Sequence, residues 1–452
     1  MEIYSGLNTK FQLHLERTMR MKIKHLALVL TGVYGALASH LAWADDSGIT
    51  LYGIIDVVAG RVGHQAGTSG VAPGTVNSYT ANTAPNAVNG LFNGGMQGSR
   101  WGVRGNEDLG GGLNAFFTLE DGFSSVSGNI VNSGAAVAAN SGSKTPVNNI
   151  TGGSMNGQLF NRQAFVGLSD RSLGSLAVGR TYNPTYDVLQ NYDPAQYSNT
   201  FSPIGHSGTW GGGGGVSENS RLDNSVRYTN KVDRFNFGYT HKFGGQAGNF
   251  KAQTFDALSL GYEAGDFGIQ AVAEAGRDSV VVTPNTAATA AGTVTATVSN
   301  VEAFLLVGRY KATTDLTLKV GFQTYTLKPP SDVYAVASLP SADGQTVSSV
   351  ASTYANQTTR MVWLGGDYFI TPALNLALGL YDIHSDGYAT SATKSSAAGD
   401  QYVASLILDY NLSKRSDVYA GLSSSSYTGQ KFSVAGDNTS NYVVGVGIRH
   451  KF

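Results

Sequence analysis

The 452-residue chain contains no cysteine. That excludes disulfide staples, and it fits a chain that folds in an oxidising compartment without cross-links. Charge is scarce as well. Only 13% of residues are Asp, Glu, Lys or Arg, against roughly 25% in soluble domains. The formal net charge of −1 offers no basic surface for nucleic acid. Beyond residue 44 no run of 18 apolar residues occurs, which excludes a transmembrane helix. No stretch beyond that point keeps a 3.6-residue period, apart from a short turn within 184–197. What is abundant is glycine, 58 residues, with 23 Tyr and 19 Phe. Low charge with high Gly, Tyr, Ser and Thr points to many β-strands joined by polar loops.

The N-terminal region reads as an export signal. "MKIKHLALVLTGVYGALASHLAWADD" has a basic start (Lys22, Lys24), an interrupted apolar run from Leu26 to Leu41, and Ala42-Trp43-Ala44 as a cleavage site. Cleavage is expected before Asp45. Residues 1–20 precede the basic start and read as a start codon placed too early, so that 21–44 is the signal peptide and 45–452 a single domain. Removing residues 1–44 takes away five Lys/Arg and two acids, leaving a formal charge of −4. An exported chain of this kind is soluble in the periplasm, secreted, or a β-barrel.

Period-2 alternation runs through the rest of the chain. In "ITLYGIIDVV", Ile49, Leu51, Ile55 and Val57 share one face, and Thr50, Tyr52, Ile54 and Asp56 share the other. "RLDNSVRYT" separates Leu222, Val226 and Tyr228 from Arg221, Asp223, Ser225 and Arg227. Sixteen such segments are expected, at about 49–58, 98–107, 113–123, 159–168, 174–182, 219–229, 234–243, 257–264, 267–277, 299–310, 314–327, 359–369, 373–384, 400–410, 416–424 and 441–452. Their connections alternate long and short. Short ones include "NEDLGGG", "SDRSLG" and "NLSKRSD"; long ones, rich in Gly, Ser, Ala, Asn and Thr, fall near 59–97, 124–158, 183–218 and at five later places. That rhythm is the signature of a transmembrane antiparallel β-barrel with short turns at one rim and long loops at the other. In hydrocarbon every backbone N–H and C=O must be paired, so a closed sheet is required. About sixteen strands enclose a space too wide for side chains to fill, and an aqueous channel follows.

Six blocks carry a family resemblance: "ITLYGIID", "SRWGVRGNEDLGGGLNAFFTLEDGF", "GQLFNRQAFVGLSD…GSLAVGRTYNPTYD", "RLDNSVRYTN", "NLSKRSDVYAGLSS" and the end "VGVGIRHKF". Together, from residue 49 to 452, they resemble the Gram-negative general diffusion porins of the β-proteobacterial type. The resemblance implies a sixteen-stranded barrel in the cell outer membrane, usually a homotrimer, passing small hydrophilic solutes and ions without a cofactor. It also implies that the third long loop folds into the lumen and sets acids against a ladder of wall arginines.

The site residues follow block by block. Arg100 and Arg221 point inward by alternation; Arg162 is placed inward by the resemblance, which also assigns all three to the pore constriction. The loop after "VGRTY" supplies two acids before Glu218, Asp187 and Asp193, as the opposing side. Relatives with a "PEFGG"-like segment carry a further Glu there, and this chain has none. The expected selectivity is therefore weak, or mildly anionic. Glu120, Arg104 and Arg227 are expected to line the lumen, with Arg104, Arg180 and Arg227 mainly structural. The pairs Glu107/Asp108 and Glu120/Asp121 lack a histidine partner for acid/base catalysis. Gly211–Gly215 lacks the Lys-Ser/Thr of a phosphate loop, and the histidines show no zinc spacing. No enzyme, metal or cofactor is expected. Tyr52, Phe123, Tyr228, Phe243, Tyr310, Tyr368, Tyr410 and Phe452 fit aromatic girdles at the lipid interfaces. Phe452 ends the closing strand, and in the resembling family a terminal Phe is also read by the outer-membrane assembly machinery. A barrel serving as a surface adhesin or receptor, and a soluble secreted β-protein, are the alternatives.

Overall fold

The computed structural model describes residues 48–64, 86–128, 130, 159–207, 220–284, 293–332, 346–351, 356–391, 394–396, 398–429 and 439–452. The expected leader, the early start and the Gly211–Gly215 run lie outside them.

Among the described residues sixteen long strands form one sheet: β1 (Gly48–Val62), β2 (Arg100–Gly110), β3 (Leu113–Gly122), β4 (Gln163–Asp170), β5 (Gly174–Tyr182), β6 (Arg221–Val232), β7 (Phe235–Lys242), β8 (Phe255–Ala264), β9 (Phe267–Pro284), β10 (Thr293–Lys311), β11 (Leu316–Lys328), β12 (Gln357–Thr371), β13 (Leu374–Ser385), β14 (Gly399–Asn411), β15 (Ser416–Gly429) and β16 (Ser440–Lys451). Each pairs antiparallel with the next. β16 then returns to β1, from Ile54–Lys451 to Val62–Val443, so the sheet closes into a barrel and has no open edge. Phe452 completes the seam: its N–H donates to the Gly53 carbonyl, and the Gly53 N–H donates back, both at 3.0 Å. The other edge of β1 is shared. Gly48–Ile54 pair with β2, and Val57–Val62 pair with a short strand, Val88–Asn93.

The connections keep the expected rhythm. Short turns at 111–112, 171–173, 233–234, 265–266, 312–315, 372–373 and 412–415 close one rim, and the longer connections lie at the other. At the β2–β3 turn Gly110, Gly111 and Gly112 take φ of 86°, 65° and 92°, left-handed values that a side chain disfavours. Three further pieces of sheet fall inside segments that alternation assigns to loops: Val88–Asn93, Thr346–Ala351, which runs parallel to Thr293–Val298, and the small hairpin of Tyr388–Ser391 with Lys394–Ser396.

The two faces differ as a bilayer requires. Leu51, Val320, Leu364 and Val446 are 53–62% exposed on the outside, where the surrounding medium is lipid rather than water. Their inward neighbours Gln323, Trp363 and Val443 are buried. Two expected orientations are corrected. Tyr52 belongs to no lipid girdle: its hydroxyl donates to Glu120 inside the barrel, as its place beside Thr50 and Asp56 in the alternation requires. Leu222 is fully buried in a cluster with Phe255, Val301 and Leu327. The cause is a register shift between Gly179 and Thr181, opposite a left-handed Asn224 (φ 51°). Such a bulge re-aims the residues beyond it.

Two helices stand between β5 and β6, α1 (Pro184–Tyr192) and α2 (Pro203–Ser207). α1 is longer than the short turn expected there. Its start is well built: the Asn183 side chain accepts from the Thr185 N–H at 2.8 Å, proline follows the cap, and Asp187 sits in the first turn.

Candidate functional site

The long-loop ends of β2 to β6 bring five predicted or neighbouring side chains together. Arg100 opens β2, Glu120 lies near the end of β3, Arg162 precedes β4, Tyr182 ends β5 and Arg221 opens β6. Glu120 is the hub. Its Oε1 accepts from Arg162 Nε at 2.7 Å and from the Tyr182 hydroxyl at 2.5 Å. Its Oε2 accepts from the Tyr52 hydroxyl at 3.0 Å and faces Arg100 Nε at 3.6 Å. Glu120, Arg162, Tyr182 and Arg221 are buried, with Glu120 only 4% exposed, while Arg100 and Tyr52 are partly open to solvent. A carboxylate this buried requires ionic partners and donors on both oxygens, and it has them.

Arg221 differs from its two companions. It is buried, its Nε has no hydrogen-bond partner, and its NH1 reaches only the Ser220 hydroxyl, at 3.3 Å. Its guanidinium lies 5.8 Å from the Tyr182 ring centre and 5.9 Å from that of Tyr186. These two rings stack at 4.3 Å, and π-faces attract a cation without neutralising it. Two guanidinium groups therefore face the one carboxylate and a third lies over the neighbouring tyrosine rings, an excess of two positive charges in the cluster.

The acids expected to oppose them are placed differently. Asp187, on α1, pairs with Arg227 NH2 at 2.5 Å. Asp193 is fully buried. Its Oδ1 accepts from the Tyr381 hydroxyl (2.5 Å) and the Ala195 N–H (3.2 Å), and its Oδ2 from the Ser202 hydroxyl (2.5 Å) and the Tyr197 N–H (3.0 Å). None of those donors is an arginine. Burial pushes the Asp193 carboxyl above its usual range, against the pull of Ser202 and Tyr381. Asp193 thus folds the loop on itself and joins it to β13. Among the weaker arginines, Arg180 holds the Asn161 carbonyl at 2.7 and 2.9 Å and pairs with Asp223. Arg104 sits 5.2 Å from the Tyr52 ring centre.

The segment around α1 and α2 is fastened to many strands. Thr185 donates to Glu274 of β9 at 2.5 Å. Arg309 of β10 lies 5.6 Å from the Tyr192 ring. Lys319 of β11 donates to the Asp193 carbonyl at 3.1 Å and pairs with Asp367 of β12 at 2.7 Å. Trp363 of β12 donates to the Tyr192 carbonyl at 3.1 Å, and Phe201 meets Tyr419 of β15 edge-on. Ser198 reaches the Gly95 carbonyl at 2.6 Å. Gly95 is itself held by Asp56, whose carboxylate accepts from the N–H groups of Gly95, Met96 and Gln97 at 2.7–3.0 Å and from the Tyr419 hydroxyl. Alternation places Tyr52 and Asp56 on the inward face, but their partners come from strands and loops remote in sequence. Tyr182, Tyr186, Lys319 and Asp367 carry no signal of their own that would single them out.

Comparison with known proteins agrees with this architecture. The model of the family described as Gram-negative porin matches residues 27–430. An outer membrane porin protein of Bordetella pertussis is 32% identical over 218 residues, 48% of this chain and 46% of that protein. Outer membrane porin protein 32 of Delftia acidovorans is 29% identical over 226 residues, 49% of this chain and 50% of that one. The matched region thus spans about half the length of these curated relatives. Among solved structures, an anion-selective porin from Comamonas acidovorans superimposes with a TM-score of 0.58 at 19% identity, covering 90% of this chain and all of that one. OmpT, an outer membrane protein of Vibrio cholerae, gives 0.56 at 16% identity, covering 91% and 99%. With a closed sixteen-stranded barrel and a family match over most of its length, the chain belongs to the Gram-negative porin family.

Proposed function

We propose that the protein is a water-filled outer-membrane channel for the passive diffusion of small hydrophilic solutes and ions. The observation that carries this reading is the cluster of Arg100, Arg162, Arg221 and Glu120, held inside a barrel whose outside is apolar. The connection bearing α1 and α2 is its constriction loop, lying within the lumen. Its contacts with β9 to β13, with β15 and with the Gly95 region support that reading, because a loop lying outside the barrel would not meet so many inward side chains. Rate is then set by pore width, lining charge and solute size, with no part for catalysis or a cofactor.

The charge balance favours a weak to mild anion preference. Arg227 and Asp187 cancel, Asp193 is occupied within the loop, and Glu120 offsets one of three arginines. The Comamonas relative is described as anion-selective, which agrees. The family likeness further supports a homotrimer. Purified protein in planar bilayers tests the channel: discrete conductance steps are expected, with a reversal potential in a KCl gradient displaced toward chloride. Strong cation selectivity, or no conductance from a folded barrel, would overturn the reading. The second outcome would favour a surface adhesin or receptor. Trimers that persist in detergent on unheated gels test the assembly.

A further inference from the structure

The two stacked tyrosines of the constriction are chemically opposite. The Tyr182 hydroxyl donates to Glu120 at 2.5 Å, so its proton is held between two oxygens. The Tyr186 hydroxyl instead accepts from Arg162 NH2 at 3.1 Å, and Arg221 lies over the same ring at 5.9 Å. Arg162 and Arg221 therefore both favour negative charge on Tyr186, whereas Glu120 opposes it on Tyr182.

We propose that Tyr186 is a charge-setting residue of the constriction: as the pH rises its O–H breaks, the proton passes to water, and the phenolate offsets one guanidinium. This deepens the channel reading above and rests on it. The charged and titratable groups around Tyr186 come from every neighbouring element. They are Arg100 from β2, Glu120 from β3, Arg162 before β4, Tyr182 from β5, Arg221 from β6, Tyr197 from the same loop, where it meets Tyr186 edge-on at 5.3 Å, and the Arg227–Asp187 pair, which is neutral as a unit. Burial raises the Tyr186 phenol, but Arg162, Arg221 and Arg100 outweigh that and bring it below the ordinary tyrosine range. Ionisation would take the local excess from two positive charges to one.

The test combines two measurements on the full-length barrel. Tyrosine ring-carbon NMR in detergent, with Tyr186→Phe to assign the signal, reads ionisation whether or not the channel conducts. Reversal potential in a KCl gradient, from pH 7 to pH 10.5, reads its consequence. The expected result is a Tyr186 signal that titrates below 10, the reference value for tyrosine, and a chloride-to-potassium permeability ratio that falls about four- to sixteenfold on full ionisation, the lower figure in screening salt. Tyr186→Phe keeps the ring and should flatten that profile. A Tyr186 signal that titrates at or above 10 overturns the proposal. So does a low titration accompanied by identical selectivity profiles in the two proteins. Arg221→Gln at pH 7 separates this from failure of the constriction itself: if that change also leaves selectivity unmoved, the underlying channel reading falls too.

Discussion

Glu120→Gln is the sharpest test of the charge cluster. The substitution keeps the side-chain length and one acceptor oxygen for Tyr52 or Tyr182. It removes the carboxylate that Arg162 holds at 2.7 Å and Arg100 faces at 3.6 Å. The local excess then rises from two positive charges to three. A unit charge about 5 Å from a passing ion in water-like surroundings is worth ~0.8 kcal/mol, or about fourfold for each ion, with opposite sign for chloride and potassium. Salt screens this, since the Debye length is about 10 Å at 0.1 M, so the assay belongs at low ionic strength. Reversal potential in a KCl gradient should move toward the chloride limit, and more so at 0.1 M than at 1 M. Breaking a buried pair also costs about 3–5 kcal/mol locally, so heat-modifiable mobility on gels must first show that the barrel has folded. A folded variant whose selectivity is unchanged, or moves toward potassium, would refute the placement of Glu120 at the ion path.

Other expectations are independent of that one. Arg100, Arg162 and Arg221 changed together to Gln should abolish the anion preference, again by reversal potential, while the barrel still forms. Gly53→Ala should impair closure: a β-carbon there would sit 2.3 Å from the Phe452 ring and 2.7 Å from the Arg100 carbonyl, and the yield of heat-modifiable barrel should drop. Deleting Phe452 removes the reciprocal bonds to Gly53 and should lower the amount assembled in the outer membrane, measured by fractionation; unchanged levels would count against its role as an assembly signal. His206, in α2, is held down to about 4 by burial, against its hydrogen bond to the Asn199 carbonyl. Because its folded value lies below the unfolded one, its contribution is intact above about 6.5 and is lost as the pH falls, by about 2 kcal/mol at pH 5. Hydrogen-exchange protection in 198–207, taken relative to the intrinsic rate at each pH, should therefore fall between pH 7 and pH 5, and His206→Gln should remove that dependence.

The barrel was legible because its physics is local and repetitive. Each strand must present one apolar and one polar face, and that shows as period-2 alternation; all sixteen expected segments coincide with strands. The long and short connections were legible for the same reason, through Gly-rich turns such as Gly110–Gly112. Alternation failed where the backbone leaves the regular pleat. At Asn224 a left-handed residue moves Leu222 indoors, and the short strand Val88–Asn93 has no length to advertise itself. The inward direction of Arg100, Tyr52 and Asp56 follows from the alternation; Arg221 lies beyond the Asn224 bulge, and its place beside Tyr182 and Tyr186 is a tertiary outcome. What Asp193 touches does not, because its donors include Tyr381, 188 residues away.

Sequence alone thus determined the class of molecule, the number of strands and most of the two-faced pattern, because a strand's two faces are dictated by its own residues; the candidacy of the three arginines rested on the family resemblance of the blocks that carry them. Tertiary structure alone decided how the charges pair. Glu120 became the partner of Arg100 and Arg162, Asp187 went to Arg227, Asp193 turned into its own loop, and Tyr186 came to rest among arginines. Those outcomes depend on closing the sheet, which brings strand ends and a folded loop within about 3 Å of one another, a distance that no periodicity encodes.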